Sequence, residues 1–152
     1  MNWLYNNKEI SEDLIPDDAV GFVYKITHTP TGKYYIGKKA LSSVRTVKIG
    51  KRELEKIKED RKANKMPGPA PKKKKVRKDS DWETYYSSNE WIQSEVKEGK
   101  TSEFDREIIQ FCFSKKSLSY YEIYWMFKYD VLSDEKSLNG NILGSFFRKD
   151  LV

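Results

Sequence analysis

The chain has 152 residues, of which 38% are hydrophobic and 14% aromatic, and its 29 basic and 23 acidic residues give a net charge of +6. This length argues for one compact domain, or for one domain with an insertion, and the aromatic content excludes a wholly disordered chain. No window approaches 18 consecutive apolar residues, and the first residues lack the apolar run of a signal peptide, so we expect a cytoplasmic protein without a membrane span. A single cysteine, Cys112, and a single histidine, His28, exclude an internal disulfide and a Cys/His zinc cluster, and we expect both to be structural.

The positive charge is concentrated in one block. Between Lys48 and Lys78 there are fourteen basic residues and four acidic ones, a net charge of +10, which leaves −4 for the rest of the chain. Such a block favours a polyanionic partner, most simply nucleic acid, although a solvated charged helix followed by a flexible linker has the same composition. The two interpretations are compatible, because a disordered basic arm can itself bind DNA. We therefore predict a basic DNA-binding insertion over residues 48–80, in which the DNA-binding residues are Lys72, Lys73, Lys74, Lys75, Arg77 and Lys78.

The sequence pattern in the first half of the chain predicts an N-terminal appendage, a hairpin and a charged helix. Residues 1–19 form the N-terminal appendage. Two runs of β-branched and aromatic residues, 20–28 and 33–38, flank the turn residues Thr-Pro-Thr-Gly and predict a hairpin. The run 48–65 is compatible with a charged helix, which the segment MPGPAP stops. The basic strip that follows is expected to be exposed.

Regular structure is predicted again from Asp81 onward. Ser88 or Asn89 can cap a helix that Gly99 closes. The run 104–113 is apolar nearly throughout its centre, as in a strand covered on both faces, and a long aromatic helix follows it. The predicted fold class is therefore α+β, with a small three-stranded antiparallel sheet flanked by helices and a basic charged insertion after the first hairpin.

The hairpin carries the most informative motif. Its first strand reads GFVY up to Tyr24, its second strand contains YIG from Tyr35, and the two tyrosines lie 11 positions apart. This pattern resembles the GIY-YIG nuclease family, whose members include phage homing endonucleases, some restriction enzymes and the incision subunit of bacterial excision repair. The resemblance covers about 20–45 and 104–142 and implies a nuclease domain over residues 20–152.

The resemblance also implies the site residues. The family has an arginine about ten positions after the YIG tyrosine, at the start of the next helix, and Arg45 stands there. A lysine often follows YIG, as Lys38 does, and a metal-binding glutamate often precedes a tryptophan by three positions, as Glu122 precedes Trp125. A late asparagine supports the site, for which we choose Asn141 over Asn139.

One family position differs in this chain. Many members have a histidine or tyrosine four positions after the arginine, and here that position is Ile49. A second general base would then have to come from the insertion, from Tyr85 or from Tyr86.

The chemistry of phosphodiester hydrolysis fits these residue types, because water must be brought beside an anionic phosphate. We expect Mg²⁺ or Mn²⁺ as cofactor, held by Glu122 with waters in its other coordination positions. Arg45 would stabilise charge on the phosphate oxygens through its planar fork, and Lys38 would act as a point charge. Tyr24 would activate the water, and Tyr35 would orient water and phosphate.

Each of these residues also has a plain structural interpretation. Tyrosines in hairpins are usually packing residues, Arg45 could be a surface arginine, and Glu122 could form a salt bridge with a core lysine. The sequence favours a metal-dependent endonuclease of phage homing or restriction type, acting in the cytoplasm on double-stranded DNA. With one site per chain, a homodimer on DNA would cut both strands. The rival hypothesis is a non-catalytic DNA- or RNA-binding module that uses the basic insertion.

Overall fold

The computed structural model describes residues 2–151, apart from the side chains of Ser43, Val44, Arg45, Lys75 and Arg77. The chain divides into two compact units, one made of residues 1–41 with 80–152 and the other of residues 42–79. No helix in the described part of the chain is long and apolar enough to cross a bilayer. In chain order the elements are β1 (Leu4–Tyr5), β2 (Lys8–Glu9), β3 (Gly21–His28), β4 (Tyr34–Ala40), β5 (Ser42–Lys48), α1 (Lys51–Ala63), β6 (Lys73–Asp79), α2 (Glu90–Lys97), β7 (Phe104–Cys112), α3 (Lys115–Lys128), β8 (Asn141–Ile142) and β9 (Phe146–Phe147), with 3-10 turns at Glu12–Leu14, Thr101–Glu103 and Arg148–Asp150.

The first unit is built on a mixed five-stranded sheet with the order β2-β1-β7-β3-β4. The fold is α+β as predicted, but the prediction of a three-stranded antiparallel sheet was too small. The predicted strands are present as the antiparallel trio β7-β3-β4, and the N-terminal residues add β1, which pairs with β7 in parallel, and β2. Asn6 and Asn7 both have positive φ, 51° and 65°, and turn the chain between these two short strands.

Both faces of the sheet are buried. On one face Phe22, Tyr24 and Ile26 contribute to a core that also contains Trp3, which is 1% exposed and whose indole N–H donates to the Trp82 carbonyl at 2.7 Å. On the other face α3 packs through residues such as Leu118. The prediction that the third strand is covered on both faces is therefore confirmed.

A β-bulge in β7 adjusts this two-sided packing. Val23 pairs with Gln110, whereas the next residue, Tyr24, pairs with Ile108, so Ile109 is an extra residue in β7. Ile109 packs with the α3-side core, and the neighbouring Gln110 accepts a hydrogen bond from the Trp125 indole at 2.9 Å. The bulge thus directs two consecutive residues toward α3.

Strand β4 is the last strand of the sheet, and the C-terminal segment covers the first half of its outer edge. The Tyr34 N–H donates to the Lys136 carbonyl at 3.0 Å, and the Leu138 N–H donates to the Tyr34 carbonyl at 2.7 Å. At the next outward-facing position, the Asn139 side chain accepts from the Ile36 N–H at 3.0 Å and donates to the Ile36 carbonyl at 2.9 Å. An amide side chain thereby replaces a neighbouring strand.

The second unit is a two-stranded antiparallel ribbon of β5 and β6 with α1 between them in sequence. Helix α1 lies within the predicted charged run. The chain around Arg45, however, is a strand and not a helix start, and the basic strip is a strand and not a linker. The lysine-rich segment forms a strand because it pairs along its whole length with β5, whose Val and Thr residues favour strands. Lys74 forms an ion pair with Glu53 of α1 at 2.5 Å.

The edge contacts of β4 generate a stability prediction. Asn139→Ala would leave the N–H and carbonyl of Ile36 unpaired at a fully buried position, and we expect it to lower the free energy of unfolding by roughly 2–4 kcal/mol. Asn141→Ala is the matched control, because Asn141 is exposed and makes one turn hydrogen bond, to the Gly144 N–H. Urea unfolding of both variants tests this, and equal losses of stability would contradict it.

Candidate active site

The two hairpin tyrosines and a glycine share one face of the sheet. Tyr24 pairs across the strands with Gly37, and Ile26 pairs with Tyr35, so the aromatic rings of Tyr24 and Tyr35 lie side by side with centroids 6.4 Å apart. A Cβ at position 37 would lie 2.5 Å from the Tyr24 hydroxyl oxygen. Glycine is therefore required here for the Tyr24 ring to lie across β4.

A loop from the following segment brings a third tyrosine to Tyr24. The Tyr85 ring is 5.9 Å from that of Tyr24 in an edge-on arrangement. Arg106 of β7 positions this loop, because its guanidinium donates to the carbonyls of Glu83 at 2.8 Å and of Tyr85 at 3.0 Å. Burial raises the pKa of Tyr24, and the neighbouring Tyr85, Tyr35 and Glu122 raise it further. The Tyr24 hydroxyl is thus held in its protonated form.

Glu122 approaches Tyr24 and Tyr35 from the other face of the sheet. Helix α3 begins with a capping box between Ser114 and Ser117 and is anchored by its buried residue Leu118. The backbone N–H of Lys38, the next outward-facing residue of β4 after Ile36, lies close enough to the Glu122 carboxylate to lower its pKa. Burial raises the pKa of the Glu122 carboxyl, and the Lys38 charge and N–H partly offset this effect.

Two of these residues border an open cleft of about 530 Å³. Tyr35 and Glu122 line it, whereas Tyr24 is 1% exposed and lies beneath Tyr35. Other lining residues come from α3, from the start of α2 and from the segment around β8: Ile123, Met126, Ser88, Asn89, Glu90, Trp91, Leu138, Asn139, Gly140, Asn141, Leu143 and Gly144. The cleft is accessible to water and contains a desolvated carboxylate, which is a typical arrangement for a cation or a proton donor.

Comparison with known proteins agrees with this arrangement. A family model described as "Putative endonuclease segE, GIY-YIG domain" matches residues 3–143, more than nine-tenths of the chain. The chain belongs to the GIY-YIG nuclease family. No curated protein and no solved structure matches it. The matched family is one of endonucleases, so the chain carries a nuclease domain.

The GIY-YIG domain brings together most of the residues selected from the sequence. Lys38 is exposed, with its Nζ donating to the Ser119 hydroxyl at 2.9 Å. Asn141 lines the cleft, but the asparagine that bonds to β4 is Asn139, the second choice from the sequence. The backbone of Arg45 pairs with Val76 in the second unit, and its side chain lies outside the described residues.

Other GIY-YIG positions gain an explanation from the structure. Ile49 is 5% exposed and is therefore a packing residue, while Tyr85, proposed from the sequence as one replacement for the family's second base, contacts Tyr24. Ser88 was missed as a site residue; its hydroxyl is 3.4 Å from that of Tyr35. His28 is buried against Trp91 and bonds to Glu103 at 3.0 Å, in the structural role that we expected.

The raised pKa of Glu122 predicts that the stability difference between wild type and Glu122→Gln depends on pH. Because the folded state favours the protonated carboxyl, the charged form destabilises the fold at pH values above the folded-state pKa, and this penalty is removed as pH falls toward the usual value of 4.5. In the absence of metal, Glu122→Gln should therefore raise the melting temperature at neutral pH, and the increase should disappear in acid.

Thermal melts in EDTA across this pH range measure the effect. Glu135→Gln makes the same charge change at an exposed site and should show no such profile. A Glu122→Gln protein that melts below wild type at neutral pH would mean that the carboxylate has a stabilising partner.

Proposed function

We propose that the chain is a divalent-metal-dependent endodeoxyribonuclease that hydrolyses phosphodiester bonds in the cleft beside Glu122. The observation that carries this proposal is a partly buried carboxylate, opening into a cleft, with which no described side chain forms a salt bridge. A carboxylate in a purely structural role would be expected to have such a partner. Glu122 has instead a backbone N–H and a nearby lysine, which leaves its other oxygen sites free for a cation.

The donor set fits Mg²⁺ or Mn²⁺ better than a metal that needs a protein cage. The described residues contain no group of three or more His, Cys, Asp or Glu side chains that could hold a metal. Mg²⁺ is commonly held by one or two carboxylates together with waters and substrate phosphates, and a cleft of about 530 Å³ has room for both. Glu122 would hold the ion, which when bound supplies positive charge at the phosphate and a more acidic water.

The roles of the tyrosines follow from their burial. Tyr35 lines the cleft and can orient a water or a phosphate oxygen through its hydroxyl. Tyr24 lies behind it with a raised pKa, so in the chain alone it is a hydrogen-bond donor rather than the base expected from the sequence. We propose that Tyr24 and Tyr85 position Tyr35, and that the Tyr35 hydroxyl forms a hydrogen bond with the attacking water.

The basic side chains Lys38 and Arg45 would stabilise the charge on the phosphate. Lys38 is exposed beside Glu122 and provides a point charge for the non-bridging oxygens. The role of Arg45 as a planar fork rests on its position in the sequence, as does the supporting role of Asn141.

The basic second unit supports double-stranded DNA as the substrate. Because residues alternate along a strand, positions 73, 75 and 77 share one face of the ribbon, together with Lys48, the partner of Lys73. The opposite face carries Lys74, which bonds to Glu53 of α1. We propose that the face with positions 73, 75 and 77 binds DNA phosphates, and that Lys74 is partly neutralised. The homodimer on DNA, the phage homing or restriction role and the cytoplasmic location stay predictions from the sequence.

The central test is Glu122→Gln in a nicking assay on supercoiled plasmid with Mg²⁺. We expect the variant to cut at least about a hundredfold more slowly, because it lacks the carboxylate for the cation, while DNA binding measured in EDTA survives. Glu135→Gln should cut like wild type. Near-normal cutting by Glu122→Gln would refute its role, and a wild-type protein that binds DNA but never cuts would support the non-catalytic module.

The second test concerns the ribbon. The triple variant Lys73→Gln, Lys75→Gln, Arg77→Gln should flatten the slope of log affinity against log salt by roughly 2–3, because each phosphate that is no longer neutralised removes about 0.9 from the slope. The matched triple variant Lys72→Gln, Lys74→Gln, Lys78→Gln removes the same charge and should flatten it less, because Lys74 already has an acidic partner. Equal slopes for the two triples would mean that net charge alone, without a specific face, determines binding.

A further inference from the structure

Helix α3 carries an exposed aromatic groove on the side away from the sheet. It has a volume of about 430 Å³ and is lined by Tyr120, Ile123, Tyr124, Phe127 and Lys128. Tyr120 is 62% exposed and Phe127 57%, although both are large aromatic side chains. A contiguous apolar surface of this kind usually marks a binding site.

The aromatic rings in this groove are arranged as a platform. The rings of Tyr120 and Tyr124 are nearly parallel, with an angle of 18° between their planes and centroids 6.5 Å apart. Tyr121 lies edge-on to both, at 5.1 Å and 5.9 Å, and supports them from the side. Flat, held rings suit a flat aromatic ligand, because little side-chain entropy remains to be removed on binding.

The charges around the exposed aromatic groove favour an anionic ligand. Lys116 lies one turn before Tyr120 on the helix, and Lys128 lies one turn after Tyr124 with its Nζ 5.6 Å from that ring centroid. A two-fold contact between two copies of this groove would bring these lysines close to their counterparts, which disfavours a second chain as the occupant. A nucleotide combines these two properties, because its flat base can stack on the rings and its phosphate can pair with the lysines.

The exposed aromatic groove adjoins the cleft, since Ile123 lines both. We infer that the groove stacks unpaired bases of the DNA strand whose phosphate lies in the cleft. The inference rests on the proposed function and restricts its substrate to DNA that has unpaired nucleotides near the cleaved phosphate. Bases within an intact duplex are stacked on one another, so only unpaired nucleotides can occupy the groove. A helix is about 10 Å across, so a base in the groove would lie within a few nucleotides of the scissile phosphate.

The test compares a forked DNA, with unpaired arms of about six nucleotides, with a fully paired duplex of the same sequence. Affinities are measured by fluorescence anisotropy in EDTA for the wild-type chain and for two double variants. Tyr120→Leu with Tyr124→Leu removes the rings, and Tyr120→Phe with Tyr124→Phe keeps them. Phe113→Leu, at another exposed aromatic residue outside the groove, is the control and should change neither affinity.

We expect wild type and the Phe double variant to prefer the fork by roughly tenfold, and the Leu double variant to lose this preference while its affinity for the duplex is unchanged. Equal binding of fork and duplex by wild type would overturn stacking. So would a Phe double variant whose preference for the fork is reduced as much as that of the Leu double variant. A wild-type dimer in sedimentation that the Leu variant dissociates would overturn it too, by assigning the groove to a second copy. Plasmid nicking with Mg²⁺ tests the proposed function separately, because these affinities are measured without cleavage.

Discussion

The outer edge of β4 is the constraint on which the candidate site depends. A carboxylate from a helix on one face of a sheet can meet tyrosines from the other face only where the sheet ends. Three successive outward-facing backbone positions of β4 have three different neighbours: Tyr34 bonds to a chain segment, Ile36 bonds to the Asn139 amide, and the Lys38 N–H faces the Glu122 carboxylate, whose pKa it lowers. A further strand along this edge would remove the position that Glu122 occupies.

This arrangement places unfavourable groups together. Glu122 is partly buried close to Tyr24 and Tyr35, and burial raises the pKa of all three groups. A fold selected only for stability would place an apolar residue or a salt bridge here. The surrounding structure holds the groups in place through the glycine at 37 and through Arg106, which ties down the loop of Tyr85. Such a concentration of desolvated groups at a cleft is typical of a site that binds a cation or an anionic substrate.

Local sequence patterns predicted the parts of the fold that are locally determined. The turn before Lys33 contains Gly32 at a φ of 74°, and Asn89 caps α2 by accepting from the Ile92 N–H, both as the residue types indicate. The two-residue strands β1 and β2 were missed, although the Asn-Asn pair between them is a turn signal. Strand β6 could not be predicted from its lysines, which disfavour strands; it depends on pairing with β5, 25 residues earlier at the nearest ends.

The candidate site was predictable only where a family motif exists. Tyr24, Tyr35 and Glu122 were selected in this way, and they lie close together in the structure. The sequence favoured Asn141 over Asn139, but both are asparagines in one turn-rich segment, and only the tertiary contact with Ile36 distinguishes Asn139. The position of Tyr85 depends on Arg106, which lies 21 residues further along the chain.

The connection of the second unit has an evolutionary consequence. Leu41 and Ser80, the residues on either side of it, are joined by a backbone hydrogen bond of 3.0 Å, and the Ser80 hydroxyl bonds to the Ala40 carbonyl. The chain therefore leaves and re-enters the first unit at a single point, where loop-closure entropy depends only weakly on the length of what lies between. Segments of other lengths and other charge could be exchanged at this junction during evolution without altering β4 or its edge. The contacts along the β4 edge and the residues of the exchanged segment, Arg45 among them, would then diversify independently of each other in descendants of one ancestral chain.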